Sequence, residues 1–281
     1  MTREQEEIRE QQKISWGKFA GGWKKWNEIN MDFIGPVGKE IIAAINPAGT
    51  DKILDIAAGT GEPGLTIAGM LQGGKVIITD LSEEMLAIAR ENATTRGIQN
   101  IETLVCDVCE LPFPDHCFDA ASGRFGFMFF PDMQLAANEV YRVLKKGGLF
   151  ATAVWNTPDK NFWVTAIMST IHKNIELPAP LPGAPGMFRC ASPGLLKSIF
   201  EKAGFINIKE KEVTITLKCG SIENYWNMMT DVGAPIVAAL GKADATTRQK
   251  IKSEVFELVK QKYGTQNIAL DAGALVLAGE K

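Results

Sequence analysis

A glycine-rich turn between an apolar segment and a helix-like segment constrains this chain more than any other feature. Residues 53–64 read ILDIAAGTGEPG, and Asp80 stands at the end of the next apolar run, residues 76–79. This pattern predicts a buried strand, a tight bend and a helix, followed by a second strand that presents a carboxylate. A carboxylate at that point is placed to bind the hydroxyl groups of a ribose. The segment therefore predicts a nucleotide site in an α/β fold.

Two classes of nucleotide fit the glycine pattern. Gly59, Gly61 and Gly64 match G-x-G-x-x-G, which is typical of dinucleotide-binding enzymes such as NAD(P)-dependent oxidoreductases. The alternative ligand is S-adenosylmethionine (SAM), whose glycine turn is preceded by an acid, here Asp55. A pyrophosphate disfavours nearby anions, whereas the ammonium and sulfonium groups of SAM favour them. Since Asp55 and Glu62 flank the turn, the charges favour SAM over a dinucleotide.

Length and charge exclude several classes of partner. The chain has 281 residues, a formal net charge of −3 and a pI near 5.6. No basic stripe indicates binding to DNA, RNA or an anionic bilayer. No apolar run is long enough to span a membrane, and the charged N-terminus lacks the apolar core of a secretory signal. We expect a soluble, cytoplasmic protein without a nucleic-acid partner, and the sequence leaves its oligomeric state undetermined.

The cysteines do not predict a metal centre. The chain has five, and the one C-x-x-C pair, Cys106 and Cys109, has no second pair or histidine spacing beside it. Structural zinc sites need four such ligands, so we expect free cysteines and no bound metal.

Strand and helix patterns alternate through the middle of the chain. Apolar segments that read as strands occur at 52–58, 76–81, 102–108, 118–122 and 149–155. Because helical patterns separate them, we predict a doubly wound, mainly parallel sheet with helices on both faces.

The segments outside this core break the alternation. Helical patterns cover 162–174, 193–203, 221–240 and 244–263, strand patterns cover 205–218 and 267–278, and a Pro- and Gly-rich stretch spans 177–188. We predict one elaborated domain with four parts. These are an N-terminal helical lid segment (1–50), a nucleotide-binding core (51–155), a lid insertion and helix (156–204), and C-terminal hairpin strands (205–281) with a helical insertion (219–266).

Five segments between residues 54 and 148 carry a family resemblance. They read LDIAAGTG, TDLSEEML, CDVCELPFPDHCFDA, RFGFMFFPD and EVYRVLKKGG. Together they resemble class I SAM-dependent methyltransferases, most closely the ubiquinone/menaquinone-biosynthesis (type 11) branch of small-molecule enzymes. The resemblance implies a Rossmann-like, seven-stranded sheet with an antiparallel last strand. It is specific for the fold and the cofactor but weak on the methyl acceptor.

The resemblance also implies which residues bind SAM. An acid after the third strand would accept a hydrogen bond from the adenine amino group, beside a backbone N–H that serves the ring. The implied cofactor set is Asp55, Ala57, Gly59, Thr60 and Gly61 at the methionine end, Asp80 at the ribose, Leu81, Met85, Asp107 and Val108 at the adenine, with Arg124 and Trp16 completing it.

The sequence says less about the chemistry of the methyl acceptor than about the cofactor. Methyl transfer from a sulfonium is an in-line displacement in which alignment and desolvation dominate, and an acidic acceptor also needs a base. His172 is our candidate base, with a packing or surface histidine as the alternative. Arg124 and Arg189 are candidates to bind an acceptor carboxylate or phenolate, or to pair with acidic neighbours. We predict a methyltransferase with an aromatic or apolar small-molecule acceptor, the alternatives being an NAD(P)-dependent oxidoreductase and a non-catalytic SAM-binding protein.

The N-terminal segment carries a stripe of aromatic side chains. Trp16, Phe19, Trp23 and Trp26 recur at three- and four-residue spacing, which can place them on one face of a helix. We predict that this helix closes over SAM and the acceptor, with residues 21–22, both glycine, interrupting or hinging it.

Overall fold

Seven strands form one mixed sheet in the computed structural model, which describes residues 2–178 and 183–281. The strands are β1 (Lys52–Asp55), β2 (Lys75–Asp80), β3 (Ile101–Val105), β4 (Phe118–Arg124), β5 (Leu144–Trp155), β6 (Ile206–Gly220) and β7 (Ile268–Glu280). Their order is β3-β2-β1-β4-β5-β7-β6, and β7 runs antiparallel to both neighbours. The predicted α/β, Rossmann-like fold with an antiparallel last strand is confirmed. Residues 179–182 of the predicted Pro- and Gly-rich stretch lie outside the described residues.

Ten α-helices accompany the sheet in the described ranges. They are α1 (Arg3–Lys25), α2 (Asn27–Ile45), α3 (Gly64–Met70), α4 (Glu83–Thr95), α5 (Met133–Val143), α6 (Phe162–Asn174), α7 (Leu195–Ala203), α8 (Ile222–Val232), α9 (Ala234–Leu240) and α10 (Ala245–Tyr263). Local side chains cap the first turn of five of them; for example, Ser82 Oγ accepts from the Met85 N–H and Asp132 Oδ1 accepts from the Leu135 N–H. The helix predicted over 221–240 is divided at Gly233 into α8 and α9.

The central strands are buried on both faces, as a parallel sheet covered by helices requires. Ile53, Leu54, Val76 and Ile78 have no exposed surface. The uninterrupted apolar sequence of β1 and β2 follows from this burial, since neither strand has a solvent-facing side. Strand β3 lies at the sheet edge and is half exposed along its length.

The order of the strands creates the place for a ligand. From β1 the chain continues to β2 and β3 on one side, whereas β4 leads to β5 on the other side. Connections that diverge in this way leave a crevice at the carboxyl ends of β1 and β4. Helix α1 contacts α4 and α8, and α2 packs against β4, β5 and β6.

The two N-terminal glycines do not interrupt or hinge α1, which runs continuously from Arg3 to Lys25. Gly22 instead allows α1 to approach α8 closely, because an added Cβ would lie 2.0 Å from the Asp231 carbonyl oxygen. A Cβ on Gly21 would meet no atom within 4 Å. The break between α1 and α2 falls at Trp26.

Candidate functional site

A cleft opens at the carboxyl ends of β1 to β4, beneath α1. It contains about 950 Å³ of empty space when its open mouth is included. The lining residues come from the loops after these strands and from three helices. They are Gln12, Trp16, Trp23, Ile34, Ala57, Ala58, Gly59, Thr60, Glu62, Thr79, Asp80, Leu81, Met85, Cys106, Asp107, Val108, Arg124, Phe125, Gly126, Phe129, Phe130 and Pro131.

Asp80 connects the end of β2 to the glycine turn. One carboxylate oxygen accepts from the Gly59 N–H at 2.8 Å, and the other accepts from the Ser82 N–H at 2.9 Å. Burial raises the pKa of the Asp80 carboxyl above its ordinary value, and the backbone N–H bonds oppose that rise. Each oxygen has a further lone pair, so Asp80 can accept ligand hydroxyl groups without releasing the turn.

Asp107, in the loop after β3, carries a buried oxygen without a partner. Its Oδ1 accepts from the Cys109 N–H at 2.8 Å, but its Oδ2 has no hydrogen bond. The nearest cation is the Arg9 guanidinium, with Nη1 at 3.8 Å from Oδ2, beyond hydrogen-bond distance. A buried carboxylate oxygen left unpaired is costly, so this atom is suited to a ligand N–H such as an adenine amino group.

Two loops at the cleft adopt left-handed backbone conformations at non-glycine residues. Ala57, after β1, has φ of 48°, and Phe125, after β4, has φ of 61°. An added Cβ on Gly126 would lie 2.8 Å from the Ala57 side chain, so the two loops are in close contact. Such conformations are disfavoured for residues with side chains and persist where the surroundings hold them, often at ligand sites.

Asp55 and Gly61, both predicted to contact the cofactor, lie behind the cleft wall. Asp55 is fully buried, and its carboxylate accepts from Ser122 Oγ at 2.6 Å and from the Gly64 N–H at 2.8 Å. It therefore joins β1, β4 and the first residue of α3. A Cβ on Gly61 would lie 2.8 Å from the Leu65 side chain, so this glycine allows the turn to pack on its own helix. Asp55 and Gly61 therefore support the backbone of the glycine turn, and this structural role accounts for their place in the sequence pattern.

Asp55 should make the stability of the fold depend on pH. Burial raises the pKa of Asp55 from 3.8 to about 7, so between these values the folded chain retains a proton that the unfolded chain releases. Its contribution to the free energy of unfolding therefore falls as pH rises through this window. Asp55→Asn can still accept from the Gly64 N–H through its one amide oxygen and can donate to Ser122 Oγ through its NH2 group, and it removes the titration. In urea unfolding, the stability of this variant relative to wild type should increase from pH 5 to pH 8.

The exposed Asp271 provides the control for that experiment, because Asp271→Asn makes the same acid-to-amide change outside the core, and the pH trend of Asp55→Asn should exceed the trend of this variant. A stability difference between Asp55→Asn and wild type that is the same at pH 5 and pH 8 would show that Asp55 is ionised throughout.

Aromatic rings form the other part of the cleft. Trp16 meets Phe129 edge-on with centroids 5.3 Å apart and lies 6.3 Å from Trp23. Phe125 stacks on Trp155 with centroids 4.0 Å apart and planes at 12°. The Trp23 Nε1–H is buried without an acceptor. This part of the cleft is an apolar chamber lined by the Trp16, Trp23 and Phe129 side chains.

The predicted aromatic stripe is only partly directed into the cleft. Trp16 and Trp23 line it, because seven residues make two helical turns and return to the same face. Phe19 does not line the cleft, and Trp26 Nε1 donates to Asp231 Oδ2 at 2.8 Å on the α8 side. The prediction that all four rings share the ligand-facing side was therefore wrong for Phe19 and Trp26.

His172 was the predicted catalytic base, and the structure places it elsewhere. It lies exposed on α6, outside the cleft, while Ile167 and Ile171 form the buried side of that helix. One residue advances a helix by about 100°, which turns His172 away from the buried side. His116 is also remote, with Nδ1 at 3.1 Å from the Leu144 carbonyl oxygen. Neither of the two histidines in the chain lines the cleft.

The other predicted cofactor residues converge. Ten of the twelve line the cleft, namely Trp16, Ala57, Gly59, Thr60, Asp80, Leu81, Met85, Asp107, Val108 and Arg124. Sequence reasoning missed Gln12, Ile34, Ala58, Thr79, Cys106, Gly126, Phe129, Phe130 and Pro131. Phe129 to Pro131 had a signal, since they belong to the RFGFMFFPD segment. Gln12 and Ile34 had no sequence signal, because their positions in the cleft depend on how α1 and α2 pack against the rest of the fold.

Two features are absent from residues 2–178 and 183–281. No three His, Cys, Asp or Glu side chains group there as metal ligands. No helix in these ranges combines the length and apolar character needed to cross a membrane.

Known proteins resemble the chain in both sequence and fold. A family model described as the ubiE/COQ5 methyltransferase family matches residues 24–168, just over half of the 281 residues. A demethylmenaquinone methyltransferase of Thermus thermophilus is 41% identical over 109 residues, which cover 39% of this chain and 49% of the relative. One from Bacteroides fragilis is 33% identical over 141 residues, covering 50% and 57%. The chain thus matches about half the length of these relatives.

A solved structure extends the similarity in fold to most of the chain. The YcgJ protein of Bacillus subtilis superposes with a TM-score of 0.60 at 21% identity, covering 88% of this chain and 98% of the other. At that identity the match supports the architecture of the fold.

Proposed function

The chain belongs to the ubiE/COQ5 methyltransferase family, and on that premise we propose that it transfers the methyl group of SAM to a small aromatic acceptor. The observation that carries the proposal is the unpaired buried Oδ2 of Asp107, in the same cleft as Asp80. These two carboxylates match the amino group and the ribose of an adenosine. The activity is a proposal because the chain matches only about half the length of the named relatives.

The adenosine would lie between the two carboxylates. Asp80 would accept from the ribose hydroxyls, and Asp107 Oδ2 would accept from the adenine amino group. Leu81 and Met85 line the cleft beside them and would contact the ring. Met85 is almost completely buried, which gives the adenine a rigid apolar wall.

The apolar chamber is the proposed site for the methyl acceptor. Rings of Trp16, Trp23 and Phe129 suit a flat apolar molecule, and aromatic faces also attract a sulfonium. The relatives named above are demethylmenaquinone methyltransferases, and this name supports an oxygen-bearing aromatic acceptor.

The residues of the chamber would contribute alignment and exclusion of water. SAM supplies an electrophilic methyl group: the acceptor forms a bond to this carbon as the bond from the carbon to sulfur breaks, which leaves S-adenosylhomocysteine (SAH), and the acceptor releases one proton to solvent. Trp16 and Trp23 on α1 would shield this reaction from solvent, which strengthens electrostatic interactions at the reacting atoms. Since neither histidine lines the cleft, the proposal assigns no imidazole base.

Ligand titration tests the cofactor assignment. In calorimetry we expect SAH to bind with micromolar or tighter affinity and NAD⁺ and NADH to give no saturable signal. Glu62 adds a carboxylate to the wall beside the glycine turn, which opposes a pyrophosphate there. Tighter binding of NAD⁺ than SAH would identify an oxidoreductase instead.

Turnover tests the reaction itself. Purified protein should transfer label from radiolabelled SAM to 1,4-dihydroxynaphthalene, a soluble aromatic diol, and the compound should stay unlabelled in a reaction without protein. SAH binding without turnover over a panel of hydroxylated aromatic acceptors would favour the alternative of a non-catalytic SAM-binding protein.

A further inference from the structure

Phe125, in the loop after β4, joins the wall of the cleft to a column of stacked aromatic rings. Its ring centroid lies 4.0 Å from that of Trp155, with the two planes at 12°. Trp155 in turn stacks on Phe33, with centroids 5.8 Å apart and planes at 22°. Phe125 lines the cleft, whereas Trp155 and Phe33 do not. The column therefore reaches the cleft with the ring of Phe125.

A buried polar side chain anchors the rings behind Phe125. Trp163 packs against Trp155 with centroids 4.8 Å apart, and its Nε1 donates to Asn161 Oδ1 at 3.0 Å. Asn161 is fully buried, and its Nδ2 donates to the Gly273 carbonyl oxygen on β7 at 3.1 Å. A buried amide that is bonded through both its oxygen and its nitrogen cannot turn without losing hydrogen bonds. The column is therefore a rigid support for the ring at its end.

The backbone at Phe125 is also constrained. Its φ of 61° is disfavoured for a residue with a side chain, and its N–H donates to the Ala153 carbonyl oxygen at 2.9 Å. At the next position, a Cβ on Gly126 would lie 2.8 Å from the Ala57 side chain and 3.1 Å from the Phe130 ring. Close packing of the loop and the bond to β5 thus hold the disfavoured conformation. Such conformations persist where the surroundings impose them, and they are concentrated at ligand sites.

The order of the strands places Phe125 beyond the proposed cofactor. Asp80 ends β2 and Asp107 follows β3, whereas Phe125 follows β4, and β1 with its glycine turn lies between β2 and β4. Since neighbouring strands are about 4.8 Å apart, the end of β4 lies about 10 Å from the end of β2. An acceptor must approach the methyl carbon from the side opposite to sulfur, so it needs a part of the cleft that the adenosine leaves free. The loop after β4 borders such a part.

We propose that Phe125 is the stacking platform for the methyl acceptor, whose planar aromatic ring packs on Phe125 opposite to Trp155. The proposal rests on the proposed function, because it presumes that the adenosine of SAM occupies the end of the cleft with Asp80 and Asp107. Trp155 covers one face of the Phe125 ring, yet this half-buried ring still lines the cleft, so ring surface remains for a ligand. Aromatic pairs favour offset stacking, and a ring that is already fixed loses little conformational freedom on binding. The acceptor thus extends the column by one ring.

Calorimetry on protein saturated with SAH measures acceptor binding without turnover. The probe is 1,4-dihydroxynaphthalene, kept reduced under nitrogen. Phe125→Leu should weaken its binding by about 2- to 12-fold, the range for an aromatic pair, and should leave the affinities for SAH and SAM unchanged. In the turnover assay the same variant should raise the KM for the diol and leave the KM for SAM unchanged.

Three further variants complete the design. Phe125→Tyr keeps the ring, so it should bind the diol as wild type does. Phe125→Met is a second variant without a ring, and it should reproduce the loss seen with leucine. Phe256→Leu makes the same change as Phe125→Leu at a half-buried residue of α10 outside the cleft, and all affinities should stay at wild-type values. Thermal unfolding confirms that each variant is folded.

The results separate this inference from the proposed function. Weaker diol binding in the variants without a ring, with SAH affinity kept and with wild-type binding in Phe125→Tyr, supports the inference. Unchanged diol binding in a folded variant without a ring overturns it, as does a wild-type SAH complex that does not bind the diol. A loss of affinity for SAM but not for SAH would show that Phe125 faces the sulfonium instead, which also overturns it. Failure of the wild-type protein to bind SAH contradicts the proposed function, and with it this inference.

Discussion

Replacing Asp80 with alanine is expected to weaken SAH binding by about 10- to 150-fold, because it removes charge-assisted bonds to the ribose. The loss has a second physical cause in the structure. The Asp80 carboxylate also accepts from the N–H groups of Gly59 and Ser82, so the substitution leaves both donors without that partner. The glycine turn should therefore become less ordered as well as less able to bind. Calorimetry with SAH gives the affinity, and thermal unfolding gives the stability.

Two variants separate these contributions. Asp80→Asn retains one carbonyl oxygen and should lose less affinity than Asp80→Ala. Asp271→Ala removes an exposed acid on β7 and should change neither affinity nor stability. If folded Asp80→Ala binds SAH as tightly as wild type, Asp80 is not the ribose-binding residue.

A methyl group added at Gly22 is expected to disrupt the cleft from a distance. The Gly22→Ala side chain would lie 2.0 Å from the Asp231 carbonyl oxygen, so α1 must move away from α8. Because α1 carries Trp16 and Trp23, this movement should open the cleft, weaken SAH binding by at least roughly tenfold and abolish turnover. Overpacking of this kind typically costs about 1–3 kcal/mol of stability. The measurements are calorimetry, turnover and urea unfolding.

The adjacent glycine provides a matched control. Gly21→Ala introduces the same methyl group in the same helix, but its Cβ would meet no atom within 4 Å. It should leave SAH affinity unchanged and stabilise α1 by up to about 1 kcal/mol through higher helix propensity. Equal effects of the two substitutions would show that contact between α1 and α8 does not support the cleft.

Hydrogen exchange tests whether α1 acts as a lid. If α1 opens to admit ligands, amides of residues 14–28 should exchange faster without SAH than with it, and faster still in Gly22→Ala. Equal protection in wild type with and without SAH would identify α1 as permanent packing over the cleft.

The ligand-facing part of the cleft was largely predictable because its signals are local in sequence. The ILDIAAGTGEPG turn and the acids that end β2 and follow β3 lie on consecutive elements of one parallel sheet. The carboxyl ends of such strands meet at one edge, so Asp80 and Asp107 converge whatever the rest of the chain does. The same rule explains why nine of the predicted cofactor residues line one cleft, since they end or follow β1 to β4; the tenth, Trp16, lies on α1.

The sequence did not determine the placement of a residue where its local signal has two physical causes. An acid before a glycine turn can contact a ligand or support the backbone, and Asp55 supports it through Ser122 and the Gly64 N–H. Ser122 is distant in sequence, so only the pairing of β1 with β4 reveals that partner. His172 shows the same limit, because its side of α6 depends on the elements that pack against that helix.

By itself, the sequence determined the alternating strands and helices and the nucleotide site at the carboxyl ends of the strands, because both follow from contacts between neighbouring elements. It also determined the family, because the family's motifs are short and local in the sequence. The tertiary structure alone decided what closes that site. Helix α1 has no place in the sheet, and its position depends on Gly22 against Asp231 and on Trp26 Nε1 bonded to the same residue. Those partners are some 200 positions away in the sequence. Docking between such distant segments is set by side-chain shape and packing, which no local period in the sequence encodes.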